Sequence, residues 1–133
     1  MSGRLRGDRG SVSLLVVIMV PALLMAAGLV LDSGRQLSAR RDAAAAASSA
    51  ARAAAQMTED EAFREVLDPR LATSRGQAQL GATGHVGVVS VDATGVTVTV
   101  TATVDHLILP GSRSVSASST SRPIDGVSGG ALP

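Results

Sequence analysis

The sequence predicts an α+β protein: a long N-terminal transmembrane and stalk helix, then a short helix and a small antiparallel β-sheet of about three strands. Three observations carry this. Residues 12–31 run for 20 positions without a charge. Residues 43–55 are alanine at ten of thirteen positions. From residue 85 the hydrophobic period changes to two, with valine alternating against threonine.

Residues 1–11 read as a cytoplasmic basic leader, with Arg4, Arg6 and Arg9 ahead of the apolar run. Residues 12–31, VSLLVVIMVPALLMAAGLVL, read as a transmembrane helix. A helix of that length spans about 30 Å, the thickness of a bilayer's hydrocarbon core. A buried soluble helix would need more large apolar partners than the rest of the chain supplies. A secretory signal peptide is the competing reading, because Met25-Ala26-Ala27 places small residues near a cleavage position. Its apolar core would be roughly 7–15 residues, shorter than this run. Arg35, Arg40 and Arg41 follow the span, against Asp32 and Asp42, so flanking charge does not set the orientation. The short leader is the easier end to leave in the cytoplasm, which puts the C-terminal part outside. Pro21 removes a helix donor and predicts a kink near Val17. Ala22, Ala26 and Ala27 are helix-packing candidates, small enough for another helix to approach closely. The abundance of alanine accounts for that spacing equally well.

Residues 32–57 read as an Ala-rich stalk helix continuing into water, with Gly34 its weak point. Residues 58–121 read as a small extracytoplasmic α/β domain. Thr58 with Glu61 is a capping-box pattern that opens a short helix from Glu59 to about Leu67, with Phe63, Val66 and Leu67 as its apolar face. Asp68-Pro69 ends it, and residues 70–84, punctuated by Gly76, Gly81 and Gly84, read as irregular. Val86, Val88 and Val91 mark a first strand, and Asp92-Ala93-Thr94-Gly95 a turn. Val96, Val98, Val100 and Val104 form the apolar face of a second strand whose other face is threonine. Leu107-Ile108-Leu109 is an apolar corner closed by Pro110-Gly111. Residues 114–121 add a third strand, and residues 122–133 are a flexible tail. Only about 60 ordered residues lie beyond the stalk, so the sheet needs support from the stalk, from neighbouring copies, or from both.

Composition narrows the chemistry. The chain has no Cys, Lys or Asn, which excludes a thiolate metal site, a cysteine nucleophile, a P-loop, a Schiff base and an N-glycosylation acceptor. Phe63 is the sole aromatic residue, which removes base stacking on single strands. With twelve basic against eleven acidic residues and no dense basic block beyond the leader, a nucleic-acid partner is not indicated. His85 and His106 lack metal-ligand spacing and read as structural or surface histidines. Asp105 and His106 are adjacent in a strand and face opposite ways, a poor acid–base pair. Glu59, Asp60, Glu61 and Glu65 read as a solvated helix cap. No G-x-S-x-G elbow or G-x-G-x-x-G loop occurs. The expectation is therefore a protein that is not an enzyme, with no cofactor, metal or small-molecule substrate. Its expected partners are the lipid bilayer and either other membrane components or its own copies, met through the N-terminal helix.

The segment DRGSVSLLVVIMVPALLMAAGLVLDSGRQLSARRDAAAAASSAARAAA resembles the N-terminal domain of TadE/TadG-like proteins of Flp (tight-adherence) pilus systems. The resemblance covers roughly residues 8–57. It is carried by Arg9-Gly10 before the apolar run, Pro21 within it, Asp32-Ser33-Gly34-Arg35 at its end, and Arg40-Arg41-Asp42 leading into the alanines. It implies a pseudopilin-like or accessory membrane protein, anchored by one helix with its C-terminal domain outside the cytoplasm, that assists assembly of a pilus or related secretion machine. Gly10-Ser11 stands where a pilin-type leader would be processed, but the fifth residue after Gly10 is Leu15, where the pilin pattern has glutamate. The alternative function is a small secreted binding module released by signal-peptide cleavage.

Overall fold

The computed structural model describes residues 8–106 and 110–123. Their elements are α1 (Asp8–Ala55), α2 (Glu59–Arg64), α3 (Pro69–Ala82), β1 (Gly87–Asp92), β2 (Gly95–Asp105) and β3 (Ser112–Ser121). This is the expected α+β layout, with one more helix than the sequence indicates. The predicted corner at Leu107-Ile108-Leu109, the leader's first seven residues and most of the tail lie outside the described residues.

α1 is one helix of 48 residues, about 70 Å long, with Pro21 inside it and Gly34 passed without a break. Alanine has the highest intrinsic helix propensity, and in the second half of α1 it also defines the packing. Ala43, Ala46, Ala47, Ala50, Ala51, Ala54 and Ala55 are buried, a helical stripe of methyl groups along one side. Val96, Val98 and Val100 of β2 and Ala72 and Leu80 of α3 complete this core, with Val89, Val91, Ala102 and Ala117 packed at its margin. Methyl-sized side chains let the backbones of the sheet and α3 come close to α1. The sheet's support is thus the stalk of its own chain.

The sheet is an antiparallel meander in the order β1-β2-β3. Val89 pairs with Val98 across the first hairpin, and Val100 with Ala117 across the second. β2 follows its pattern: the valines point to α1, while Thr97, Thr99, Thr101 and Thr103 occupy the other face. β1 is shifted by one from the expected phase. Val86 and Val88 are exposed, and Gly87, Val89 and Val91 face inward. A Cβ on Gly87 would lie 2.6 Å from the Thr99 carbonyl oxygen, so only glycine fits that inward position. The β1–β2 turn is fastened by Asp92, whose Oδ1 accepts from the amides of Thr94 (2.7 Å) and Gly95 (3.0 Å). The hydrogen bonds from the Thr94 side chain and amide hold the Asp92 carboxyl below its ordinary pKa. Gly95 has φ of +153°, and a Cβ there would meet the Ser121 carbonyl oxygen at 2.5 Å.

The segment read as irregular is α3. Asp68 does not close α2; it caps α3, its Oδ1 accepting from the amides of Arg70 (2.8 Å) and Leu71 (3.4 Å), with Pro69 as the first helical residue. Gly76 is a contact point: a Cβ there would stand 2.9 Å from Val89 Cγ2 and 3.3 Å from Ala54 Cβ. α2 stops at Arg64, with Glu65 in the left-handed region at φ +53°. Its expected apolar face is not formed. Phe63 is 91% exposed and Val66 64%, and of the three only Leu67 packs on the core. Glu61 is the residue that α2 turns inward.

Candidate membrane-anchoring site

The first half of α1 is long and apolar enough to cross a membrane, and almost none of it is buried against the rest of the chain. Its large side chains, from Val12 to Leu31, are about half exposed or more. A soluble core helix would hide these groups; here they encircle a helix that no other element of the described structure covers. Burying them in lipid is the favourable outcome at roughly 25 cal/mol per Å² of apolar surface. Ala22, Ala26 and Ala27 are all exposed on this segment. Gly10 and Ser11 lie in the first turns of α1.

Two buried carboxylates, Asp32 and Glu61, mark the ends of the packed half of α1. Asp32, the first charged residue after the span, is 4% exposed. His106 Nδ1 lies 4.0 Å from Asp32 Oδ2. β2 runs back along α1, which brings His106 at its end to the point where the span ends. The His106 amide donates to the Gly111 carbonyl at 3.1 Å and closes the base of the β2–β3 connection. Asp105, next to His106, is exposed, as strand alternation requires. His85 lies elsewhere, its Nδ1 2.9 Å from the Thr83 carbonyl.

At the far end the carboxylate is Glu61. The capping box predicted from Thr58 and Glu61 is present: the Glu61 amide donates to Thr58 Oγ1 at 3.4 Å, and the Thr58 amide to Glu61 Oε2 at 2.7 Å. Glu61 also accepts from the Asp68 amide at 2.9 Å. Arg75 of α3 donates to both its oxygens, at 2.9 and 3.3 Å, and reaches the Ala54 carbonyl of α1 at 3.4 Å. One carboxylate therefore ties α2, the α2–α3 connection and α3 to the end of the stalk. The Arg75 guanidinium, helped by the amides and hydroxyl around the carboxylate and opposed by burial, lowers the Glu61 pKa from 4.5 to about 2. Of the four acidic residues read as a solvated cap, Glu61 is buried and Glu59, Asp60 and Glu65 are exposed. The capping pattern was visible because it is local; the partnership with Arg75, 14 residues away, has no local signal.

Among the described residues no three His, Asp or Glu side chains converge as a metal-binding group. The arrangement is an apolar rod, a small sheet packed along its continuation, and a buried carboxylate at each end of the packed part.

Residues 10–57 match the model of the TadE/G-like Flp pilus-assembly family. The matched stretch is nearly coextensive with α1, so α2, α3 and the sheet lie outside it. No curated protein and no solved structure matches the chain.

Proposed function

We propose that this chain is a single-pass membrane protein of a Flp/Tad-type pilus or related secretion assembly, with a structural, pseudopilin-like or accessory role and no catalytic one. The observation that carries this is α1. Its span is uncharged for 20 residues and exposed on all sides, it continues without interruption into a stalk, and it is the segment that matches the pilus-assembly family. The bilayer covers the span, the leader stays in the cytoplasm, and the sheet stands outside. Other membrane components of the machine, or further copies, meet it through the N-terminal helix, where Ala22, Ala26 and Ala27 permit close approach. Residues 58–121 act as the extracytoplasmic unit.

A secreted binding module is the second reading, and one observation favours it. Every buried alanine of α1 lies at or beyond Ala43, so cleavage near Gly28 or Asp32 would leave the packed core whole. Alkaline extraction of membranes combined with N-terminal sequencing separates the readings. An integral protein starting at Met1 or Ser2 is the expected result. A start at Ser11 adds leader processing at Gly10-Ser11 to the same function. A soluble product starting near Gly28 or Asp32 replaces the anchor with secretion, and a full-length chain found soluble in the cytoplasm sinks the proposal.

A further inference from the structure

We infer that the outer edge of β3 is a docking edge for an extended segment of a different protein, which adds a fourth strand to the sheet and carries carboxylates toward its ends. The ladder fixes which groups this edge offers. The His106 amide donates to the Gly111 carbonyl, and bonded pairs alternate along an antiparallel ladder. Arg113, Val115, Ala117, Ser119 and Ser121 therefore turn amide and carbonyl toward β2. Ser112, Ser114, Ser116, Ser118 and Thr120 turn theirs away from it, and all five are exposed. The Thr101 amide, which donates to the Val86 carbonyl at 3.4 Å, shows the complementary phase on β2. Among the described residues no backbone carbonyl accepts from the five outward amides. The opposite edge of the sheet is guarded: at β1, Gln77 of α3 donates its Nε2 to the outward Gly87 carbonyl at 3.2 Å, and Gly76 packs against Val89. β3 has none of the devices that keep an edge from pairing. It is ten residues long, holds no proline and pairs with β2 without a bulge, and its outward positions carry only small hydroxyl side chains.

The edge itself selects the occupant. A row of outward amides and carbonyls repeating every ~7 Å is matched by another extended backbone, so the occupant is a polypeptide strand. Charge narrows it further. Exposed Arg113 and Arg122 bracket the edge, about 30 Å apart along an extended chain, and β3 carries no carboxylate between them. Acidic residues toward the two ends of the added strand complement these arginines. A second copy does not fit. Copies rising from one membrane carry β3 in the same direction, so antiparallel pairing of two β3 edges would need one copy inverted. At equal height, a parallel pair would set each outward residue against the same outward residue, whereas parallel strands pair an outward residue with an inward one. Only this exclusion of a second copy rests on the anchor reading.

The test uses the full-length chain. Amide hydrogen exchange of the purified protein in detergent micelles comes first: Ser114, Ser116 and Ser118 should exchange roughly tenfold or more faster than Val115 and Ala117. Slow exchange at the three serines means that the edge is already covered, and overturns the inference. A photo-crosslinking benzoylphenylalanine is then placed at Ser118 in native cells, with Ser90 on β1 as the comparison site. The expected result is a discrete adduct with another protein from position 118 and none from 90, its mapped attachment lying in a segment with Asp or Glu near both ends. Ser114→Pro removes an outward donor that the sheet does not use and should lower the adduct roughly tenfold, whereas Ser114→Ala, which keeps the amide, should leave it nearly unchanged. Arg113→Gln combined with Arg122→Gln should weaken it severalfold; this variant leaves every sheet hydrogen bond in place and keeps the test decisive if the proline disturbs the fold. No adduct, an adduct between two copies, attachment to residues 124–133 of the same chain, an adduct that survives the proline or the arginine changes, or one lost in Ser114→Ala overturns the inference. A chain that proves soluble but forms the same adduct removes the anchor and leaves the docking edge standing.

Discussion

Glu61 shows how one side chain comes to govern a junction. Its position three residues after Thr58 makes it a helix cap, and α2 then carries it inward to Arg75. Its depressed pKa makes a definite statement about pH. The folded value is about 2 against an ordinary 4.5, so the stabilisation is complete above pH ~4.5 and is lost as pH falls from there toward 2. Stability followed by circular dichroism in detergent micelles should therefore fall in the wild type as pH drops from about 4.5 toward 2, whereas a Glu61→Gln variant should be less stable at neutral pH and lose that part of the pH dependence. Glu61→Ala strands Arg75 and should cost roughly 3 kcal/mol in urea unfolding, the low end for a broken buried pair, because Arg75 keeps 23% of its side chain exposed. At this scale the sequence revealed the cap but not its strength. Burial and the guanidinium supply the strength, and both come from elements distant in the chain.

Among the elements, α3 separates two meanings of glycine. Three glycines within residues 70–84 look like loop punctuation, yet Asp68 and Pro69 nucleate a helix that runs through Gly76 and Gly81. Gly76 is where α3 meets β1 and α1, and a methyl group there intrudes on Val89 and Ala54. Gly81 faces open space. Alanine at Gly81 should stabilise the fold by about 0.5–1 kcal/mol through helix propensity. The same change at Gly76 gains that propensity but overpacks the contact, a cost of about 1–3 kcal/mol, so the net effect should be destabilising by up to ~2 kcal/mol. Chemical denaturation of the two variants side by side checks the opposite signs. β1 teaches the same lesson in another form. Period two was legible, but Val86, Val88, Val89 and Val91 fit either phase; in the phase adopted, Gly87 is the inward residue that sits against the Thr99 carbonyl, where no side chain fits. β2 left no such ambiguity, since valine and threonine alternate along it and only one face can be dry.

For the whole molecule, the division of labour along α1 is the main result. Its first half is covered by nothing else among the described residues, while its second half is the centre of the core. Among positions 12–31 only Gly28 is buried. A chain beginning at Asp32 should therefore remain folded and soluble without detergent, with the helix and strand content expected for α1's remainder, α2, α3 and the sheet. Far-ultraviolet circular dichroism and gel filtration of that fragment test this; an aggregated or unfolded product would mean that the span supports the fold as well as the anchor.

What the sequence determined by itself was whatever depends on near neighbours and on solvent: the bilayer-length span, the alanine helix, the capping box, and the valine face of β2. Each is set by composition or periodicity over a few turns, and each stands in the structure. What only the tertiary structure decided was which surfaces meet. It placed the sheet on the alanine stripe of its own stalk, made a helix of most of the segment read as irregular, brought His106 back to Asp32, and joined Arg75 to Glu61. These outcomes depend on shape complementarity and buried charge between segments far apart in sequence, and alanine, glycine and single polar residues carry little local pattern from which to read them.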